Sequence, residues 1–201
     1  MADKLARARL ARAANALKAQ SRSALPALVL MTDDERLADP RAAVRAIPKG
    51  SMVILRARDA ERRSRLAVDL RPLTRLRQIK LLIADDAALA MRSGADGIHL
   101  PEARAREAAR WRALHPGWII TAAAHALAST QVPWVDAIFL SPVFTTTSHP
   151  GAKTLGSIKL RLIARSIRPP VYALGGIDAL TVRALSGARL AGIAAIGALA
   201  V

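Results

Sequence analysis

Ala137-Ile-Phe-Leu-Ser-Pro-Val-Phe-Thr-Thr-Thr-Ser-His-Pro-Gly-Ala-Lys-Thr-Leu-Gly156 passes without a break from four apolar residues into a polar loop. So short an apolar run predicts a strand buried on both faces. Ser141, Thr145, Thr146, Thr147, Ser148 and His149 follow at its carboxyl end. Six hydrogen-bonding side chains there serve a core badly and a small, polar, phosphorylated ligand well. The alternative is a solvated loop whose hydroxyls cap a helix. The choice rests on what surrounds the segment.

Outward from it the same rhythm repeats. Apolar runs at residues 25–31, 52–56, 79–84, 97–100, 118–123, 137–140, 171–174 and 192–196 read as strands. Helical patterns fill the intervals at 40–47, 59–76, 86–93, 103–115, 126–132, 157–166 and 178–186. Buried strands alternating with helices predict an α/β protein with a parallel sheet, and eight of them predict a small (β/α)8 TIM barrel over a doubly wound open sheet. Only residues 197–201 follow the eighth strand, so the eighth helix is missing or truncated. Residues 1–22 are basic and Ala/Leu-rich, with Leu5, Leu10 and Leu17 at broadly helical spacing. They are expected to form an extra helix packed on a single barrel domain of residues 23–201, covering its exposed part. A second subunit could cover it instead, which leaves a homo-oligomer open.

Composition narrows the chemistry. A chain of 201 residues, 52% hydrophobic, can bury one domain's core. Without cysteine there is no disulfide, thiolate metal site or Cys nucleophile. No apolar run approaches the roughly 18 residues that span a bilayer, and no secretory h-region is visible, so no membrane partner and a cytoplasmic location are expected. The Ala-rich apolar face of residues 1–22 is too small for firm interfacial binding. The net charge of +16 comes mainly from Arg, 25 of the 31 basic residues, spread over nearly every helix. With aromatics at 3%, that pattern argues against a nucleic-acid partner and for a basic surface that attracts small phosphorylated substrates.

In such a barrel, chemistry gathers where strands end. Arg56 and Arg58 share side-chain parity, so both could face one site and grip phosphate or carboxylate; an outward-facing pair is the alternative. Asp85 and Asp86 could hold Mg²⁺ or cap the next helix. His125, just beyond the fifth strand, could move protons, with His99 and His149 as rivals. His115 suits a helix cap. Gly175-Gly176 and Gly197 lie after the seventh and eighth strands, the usual phosphate cradle, where backbone N–H groups can approach an anion; Asp178 would cap the following helix.

Together, Gly94-Ala-Asp-Gly-Ile-His-Leu100, Asp136-Ala-Ile-Phe-Leu-Ser-Pro-Val-Phe144 with Thr146, Ser148 and His149, and Pro170-Val-Tyr-Ala-Leu-Gly-Gly-Ile177 resemble the thiamin-phosphate synthase and TenI superfamily, over roughly residues 25–201. The resemblance implies a (β/α)8 barrel that handles the phosphorylated thiazole precursor of thiamin. A synthase of this kind joins hydroxymethylpyrimidine diphosphate to thiazole phosphate and releases pyrophosphate, with Mg²⁺ as cofactor. Arg56 matches one of its basic positions, and Asp85 would be its metal ligand. Elsewhere Ile54, Arg58, Ala84, Arg104, Ala123 and His149 stand where it would have Gln, Lys, Asn, Asp, Ser and Lys. The TenI branch is similar in His99-Leu100-Pro101 and in a His at position 125, and needs no pyrophosphate site. The resemblance therefore implies a TenI-like tautomerase that aromatises a thiazole carboxylate phosphate without a cofactor. His125 would be its acid/base, Gly175, Gly176 and Gly197 would bind phosphate, and Arg56 or Arg58 would bind carboxylate. Ser141, Thr146, Ser148 and His149 would be further ligand contacts. A divergent synthase and a non-catalytic, regulatory or ligand-binding barrel are the alternatives.

Overall fold

The computed structural model describes residues 2–21, 23–146, 151 and 153–200. Its strands are β1 (Leu28–Met31), β2 (Met52–Leu55), β3 (Lys80–Ala84), β4 (Gly97–Leu100), β5 (Ile119–Ala124), β6 (Ala137–Leu140), β7 (Val171–Leu174) and β8 (Gly192–Ala195). Each pairs in parallel with the next, and β8 pairs with β1, so the sheet closes into the expected barrel. The α-helices are α1 (Ala2–Ala19), α2 (Arg41–Ala46), α3 (Ala60–Leu76), α4 (Ala87–Ser93), α5 (Ala108–Leu114) and α6 (Gly156–Ser166).

Strand side chains alternate between two apolar layers. Val29, Met31, Met52, Ile54, Leu82, Phe139, Tyr172 and Ala194 fill the barrel interior. Leu28, Leu30, Val53, Leu55, Leu81, Ile83, Ile138 and Ile193 pack outward under the helices. With both faces buried, the strands need no polar residue, which explains their near-continuous apolar runs. Two carboxylates fasten the opposite, amino-terminal end. Asp96, just before β4, accepts from the Leu81 N–H at 2.9 Å and from Arg71 of α3 at 2.7 Å. Asp136, just before β6, repeats the device with the Ile120 N–H at 2.7 Å and Arg112 of α5 at 2.6 Å.

One 3-10 turn, Gly197–Leu199, follows β8 where an eighth helix would lie. Helix α1 contacts β8, β1 and the turns after β7 and β8. Leu10, Ala14 and Leu17 are buried in that contact, whereas Leu5 is 52% exposed. Arg7 donates to the Ala200 carbonyl at 3.1 Å, and Arg189 donates to the Gln20 carbonyl at 3.2 Å. Among the described residues, no helix is long and apolar enough to cross a membrane.

Three expected helices differ. The 126–132 segment forms only a 3-10 turn, Leu127–Thr130. There the Ser129 hydroxyl accepts from the Ala126 N–H and donates to its carbonyl, closing a local turn, and Pro133 stops extension. Residues 178–186 shorten to Thr181–Leu185, because Thr181 spends its hydroxyl on the Gly176 carbonyl and Ser186-Gly187 ends the segment. The 103–115 helix splits into a 3-10 stretch, Glu102–Glu107, and α5. In the first part Arg104 forks onto Glu107 three residues on, a spacing that the 3-10 form brings into line.

Candidate functional site

The carboxyl ends of β1 and β2 are tied by Thr32. Its hydroxyl accepts from the Arg56 N–H at 2.8 Å and donates to the Arg56 carbonyl at 2.9 Å. Arg56 continues the inward parity of Met52 and Ile54, and its guanidinium meets Asp33 at 2.8 Å. Asp33 also takes a forked contact from Arg36, which together with backbone N–H groups holds its carboxyl well below the usual carboxylate range despite partial burial. Arg58 does not join Arg56. Its N–H is pinned by Asp34 at 2.8 Å while its side chain, 90% exposed, lies 3.9 Å from Glu35. Equal parity failed to bring the two arginines together because the strand ends at Leu55.

Across β3 and β4, Asp85 sits with φ at 56° and meets the Arg104 guanidinium at 2.6 Å. Glu107 grips the other edge of that guanidinium at 2.7 and 2.9 Å and in turn accepts from the Trp111 indole at 3.3 Å. Asp86 caps α4 through the Leu89 N–H at 2.8 Å and pairs with Arg63 at 3.1 Å. His99 points into the barrel, where Nδ1 lies 2.9 Å from the Thr121 hydroxyl and the ring meets Phe139 edge-on, 5.0 Å between centroids. Burial, reinforced by the charge of Arg56, pushes this imidazole down to about 3, so it is neutral at physiological pH.

His125, one residue beyond β5, stands at the rim with its side chain 59% exposed. Its Nδ1 is paired with the Glu102 carboxylate, which also accepts the His125 N–H at 2.9 Å. Burial raises Glu102, but hydrogen bonds from His125 and Ser129 outweigh it and hold the carboxyl below its ordinary range. A carboxylate on one ring nitrogen orients an imidazole and leaves the other nitrogen for a substrate.

On the far side of the mouth, the loop after β6 packs on the turn after β7. The Val143 N–H donates to Leu174 at 2.9 Å and the Phe144 N–H to Gly175 at 3.0 Å. Gly175 and Gly176 have φ of 94° and 66°, and a Cβ on Gly176 would stand 2.5 Å from the Thr145 carbonyl oxygen. Their freedom therefore serves this loop contact first. Among the described residues the Gly176 and Gly197 N–H groups take part in no backbone hydrogen bond outside helices and strands. Asp178 spends its carboxylate on the Leu180 and Thr181 N–H groups, both at 2.8 Å. The following turn is thus capped internally, and the cradle is reduced to the glycine backbone. A cleft of about 300 Å³ opens beside it between Ala6 and Leu10 of α1 and the segments around Asp178 and Gly197. Ser141 is half-buried at the end of β6 and Thr146 is half-buried in the loop. Ser148 and His149 lie outside the described residues.

The rim carboxylates are thus already engaged. Asp33 faces Arg36 and Arg56, Asp34 faces Arg62, Asp85 faces Arg104, Asp86 faces Arg63, and Glu102 faces His125. Among the described residues no group of three His, Asp or Glu side chains could enclose a metal ion. Sequence reading missed Glu102 as a partner of His125 and Arg104 as a partner of Asp85. A signal existed for the first: Glu102 and His125 end adjacent strands at similar distance from the rim. None existed for the second beyond adjacency of β3 and β4.

A family model described as Thiamine monophosphate synthase (TMP-TENI) matches residues 28–199. A thiamine-phosphate synthase of Herpetosiphon aurantiacus is 33% identical over 171 residues, covering 80% of this chain and 81% of that one. A protein of Aquifex aeolicus, provisionally named thiamine-phosphate synthase 2, is 35% identical over 161 residues, covering 76% of this chain and 86% of its own. Among solved structures, thiamine phosphate pyrophosphorylase from Pyrococcus furiosus superposes with a TM-score of 0.69 at 24% identity, over 91% of this chain and 87% of that chain. At that identity the likeness speaks for the common barrel.

Proposed function

The chain belongs to the thiamine monophosphate synthase (TMP-TENI) family, and from that premise we propose that it is a transferase of thiamin biosynthesis. It would join hydroxymethylpyrimidine diphosphate to thiazole phosphate and release pyrophosphate. The relatives' names favour this reaction over the tautomerase expected from sequence. The observation that carries it is the match over residues 28–199, which takes in every strand and the rim with Arg56 and Arg104. In this reading Gly176 and Gly197 hold the thiazole phosphate through backbone N–H groups, while the Arg-lined ends of β2 and β4 attract and orient the diphosphate. Positive charge fixed beside the leaving group stabilises the charge that develops as it departs.

Synthases of this family imply Mg²⁺. The residues present do not fit it: Asp85 is bonded to Arg104 at 2.6 Å, and among the described residues no group of three or more His, Asp or Glu side chains could hold a metal ion.

One observation favours a second reading. Glu102 orients the His125 ring at the rim, an arrangement that suits the acid/base a thiazole tautomerase needs. Two turnover assays separate the readings. Pyrophosphate released from the pyrimidine diphosphate supports the transferase; aromatisation of the thiazole carboxylate phosphate, lost in His125→Asn, supports the tautomerase; binding of thiazole phosphate with neither reaction supports a non-catalytic barrel.

A further inference from the structure

Arg104 is held in a way a surface cation seldom is. Glu107 engages Nε and Nη2 together, and the Trp111 indole steadies Glu107. The guanidinium plane is thereby fixed, with Nη1 turned toward the end of β3, where it meets Asp85. With its Nε and Nη2 edge taken by Glu107, the guanidinium offers its Nη1 end to the oxygens of a phosphoryl group. Its present partner is a weak competitor. The Asp85 side chain is 51% exposed, and solvent weakens a single exposed ion pair. A diphosphate brings more charge and more acceptors. A second cation, Arg56 just after β2, stands on the same rim, paired with Asp33 at 2.8 Å.

We propose that this side of the mouth binds diphosphate directly through Arg104, with no metal ion between them. The subsite is therefore independent of metal. Asp85 occupies Arg104 when the ligand is absent and gives it up when the ligand arrives; it is a competitor of the anion and not a metal ligand. Glu107 and Trp111 are positioning residues. The inference takes its ligand class from the transferase reading above, yet the two stand or fall on different results.

Isothermal titration with inorganic pyrophosphate tests it, in excess EDTA and again in excess MgCl₂. Pyrophosphate is expected to bind in EDTA, with Mg²⁺ leaving the affinity unchanged or weakening it by competing for the anion. Arg104→Gln is expected to weaken binding about tenfold or more, the value of a charge-assisted contact, with melting temperature recorded to show that the variant is folded. Asp85→Asn is expected to tighten binding, since it removes the competing carboxylate. Binding seen only with Mg²⁺, or weakened by Asp85→Asn, or untouched by Arg104→Gln, would overturn the proposal. Metal-free pyrophosphate binding without thiamin phosphate formation sinks the transferase reading and leaves this subsite standing. Product formation that requires Mg²⁺ does the reverse.

Discussion

The Glu102 carboxylate accepts from both the backbone N–H of His125, at 2.9 Å, and Nδ1 of its ring. Two contacts from one residue fix the imidazole to the rim although more than half of its surface meets solvent. If the ring moves a proton, His125→Asn lowers aromatisation of the thiazole carboxylate phosphate by about 10²- to 10⁴-fold. Pyrophosphate-releasing turnover should stay within a few-fold. Steady-state kinetics of the variant with each substrate checks both expectations.

His99 gives the fold a pH dependence whose sign follows from its environment. Its ionisation lies at about 3 in the fold against 6.5 in the unfolded chain. Between those values the unfolded chain holds a proton that the barrel interior refuses, so stability rises with pH. The contribution is complete above 6.5 and is lost as pH falls toward 3, at up to about 1.4 kcal/mol per pH unit. Asp33 and Asp96, both lowered from 3.8, act further into acid, being lost as pH falls below that value. Glu102 and Glu107, lowered from 4.5, act in acid as well, so the slope of urea midpoints between about pH 5.5 and 6.5 is carried mainly by the histidine. His99→Gln should flatten the slope; an unchanged slope would contradict this placement.

At the opposite end, Asp96 joins Leu81 of β3 to Arg71 of α3, with its side chain only 18% exposed. Asp96→Asn keeps the shape and removes the charge, leaving Arg71 without its partner. A loss of about 2–4 kcal/mol is expected in denaturant unfolding, with ligand binding at the mouth unaltered.

Helix α1 buries Leu10 completely in its contact with β8, β1 and the 3-10 turns after β7 and β8. Leu10→Ala should cost about 2–5 kcal/mol, whereas Leu5→Ala, at an exposed site, should be nearly neutral. Removal of residues 1–22 should sharply reduce solubility or melting temperature; an unaffected protein would contradict a structural role for the segment.

Gly176→Ala forces a Cβ to within 2.5 Å of the Thr145 carbonyl oxygen at a left-handed φ. The β6 and β7 loops must then part. Affinity for a phosphate ester should fall together with melting temperature, measured by calorimetry and thermal melts.

Strand positions were legible because burial on both faces writes itself as apolar runs, and β4, β6 and β7 match their expected bounds residue for residue. The shortened helices were not, because local side-chain bonds such as Ser129 to Ala126 compete with helix without disturbing the apolar pattern. At the mouth, residue type and strand-end position singled out His125 and Asp85. Their partners Glu102 and Arg104 come from neighbouring loops, and loop conformation decides such pairs. For the same reason Arg58, equal to Arg56 in parity, turns away from it.

The most direct test of the proposed function is to incubate the protein with hydroxymethylpyrimidine diphosphate and thiazole phosphate and measure both products. Thiamin phosphate and pyrophosphate appearing in equal amounts is the predicted result. Binding of both substrates with neither product formed would contradict it.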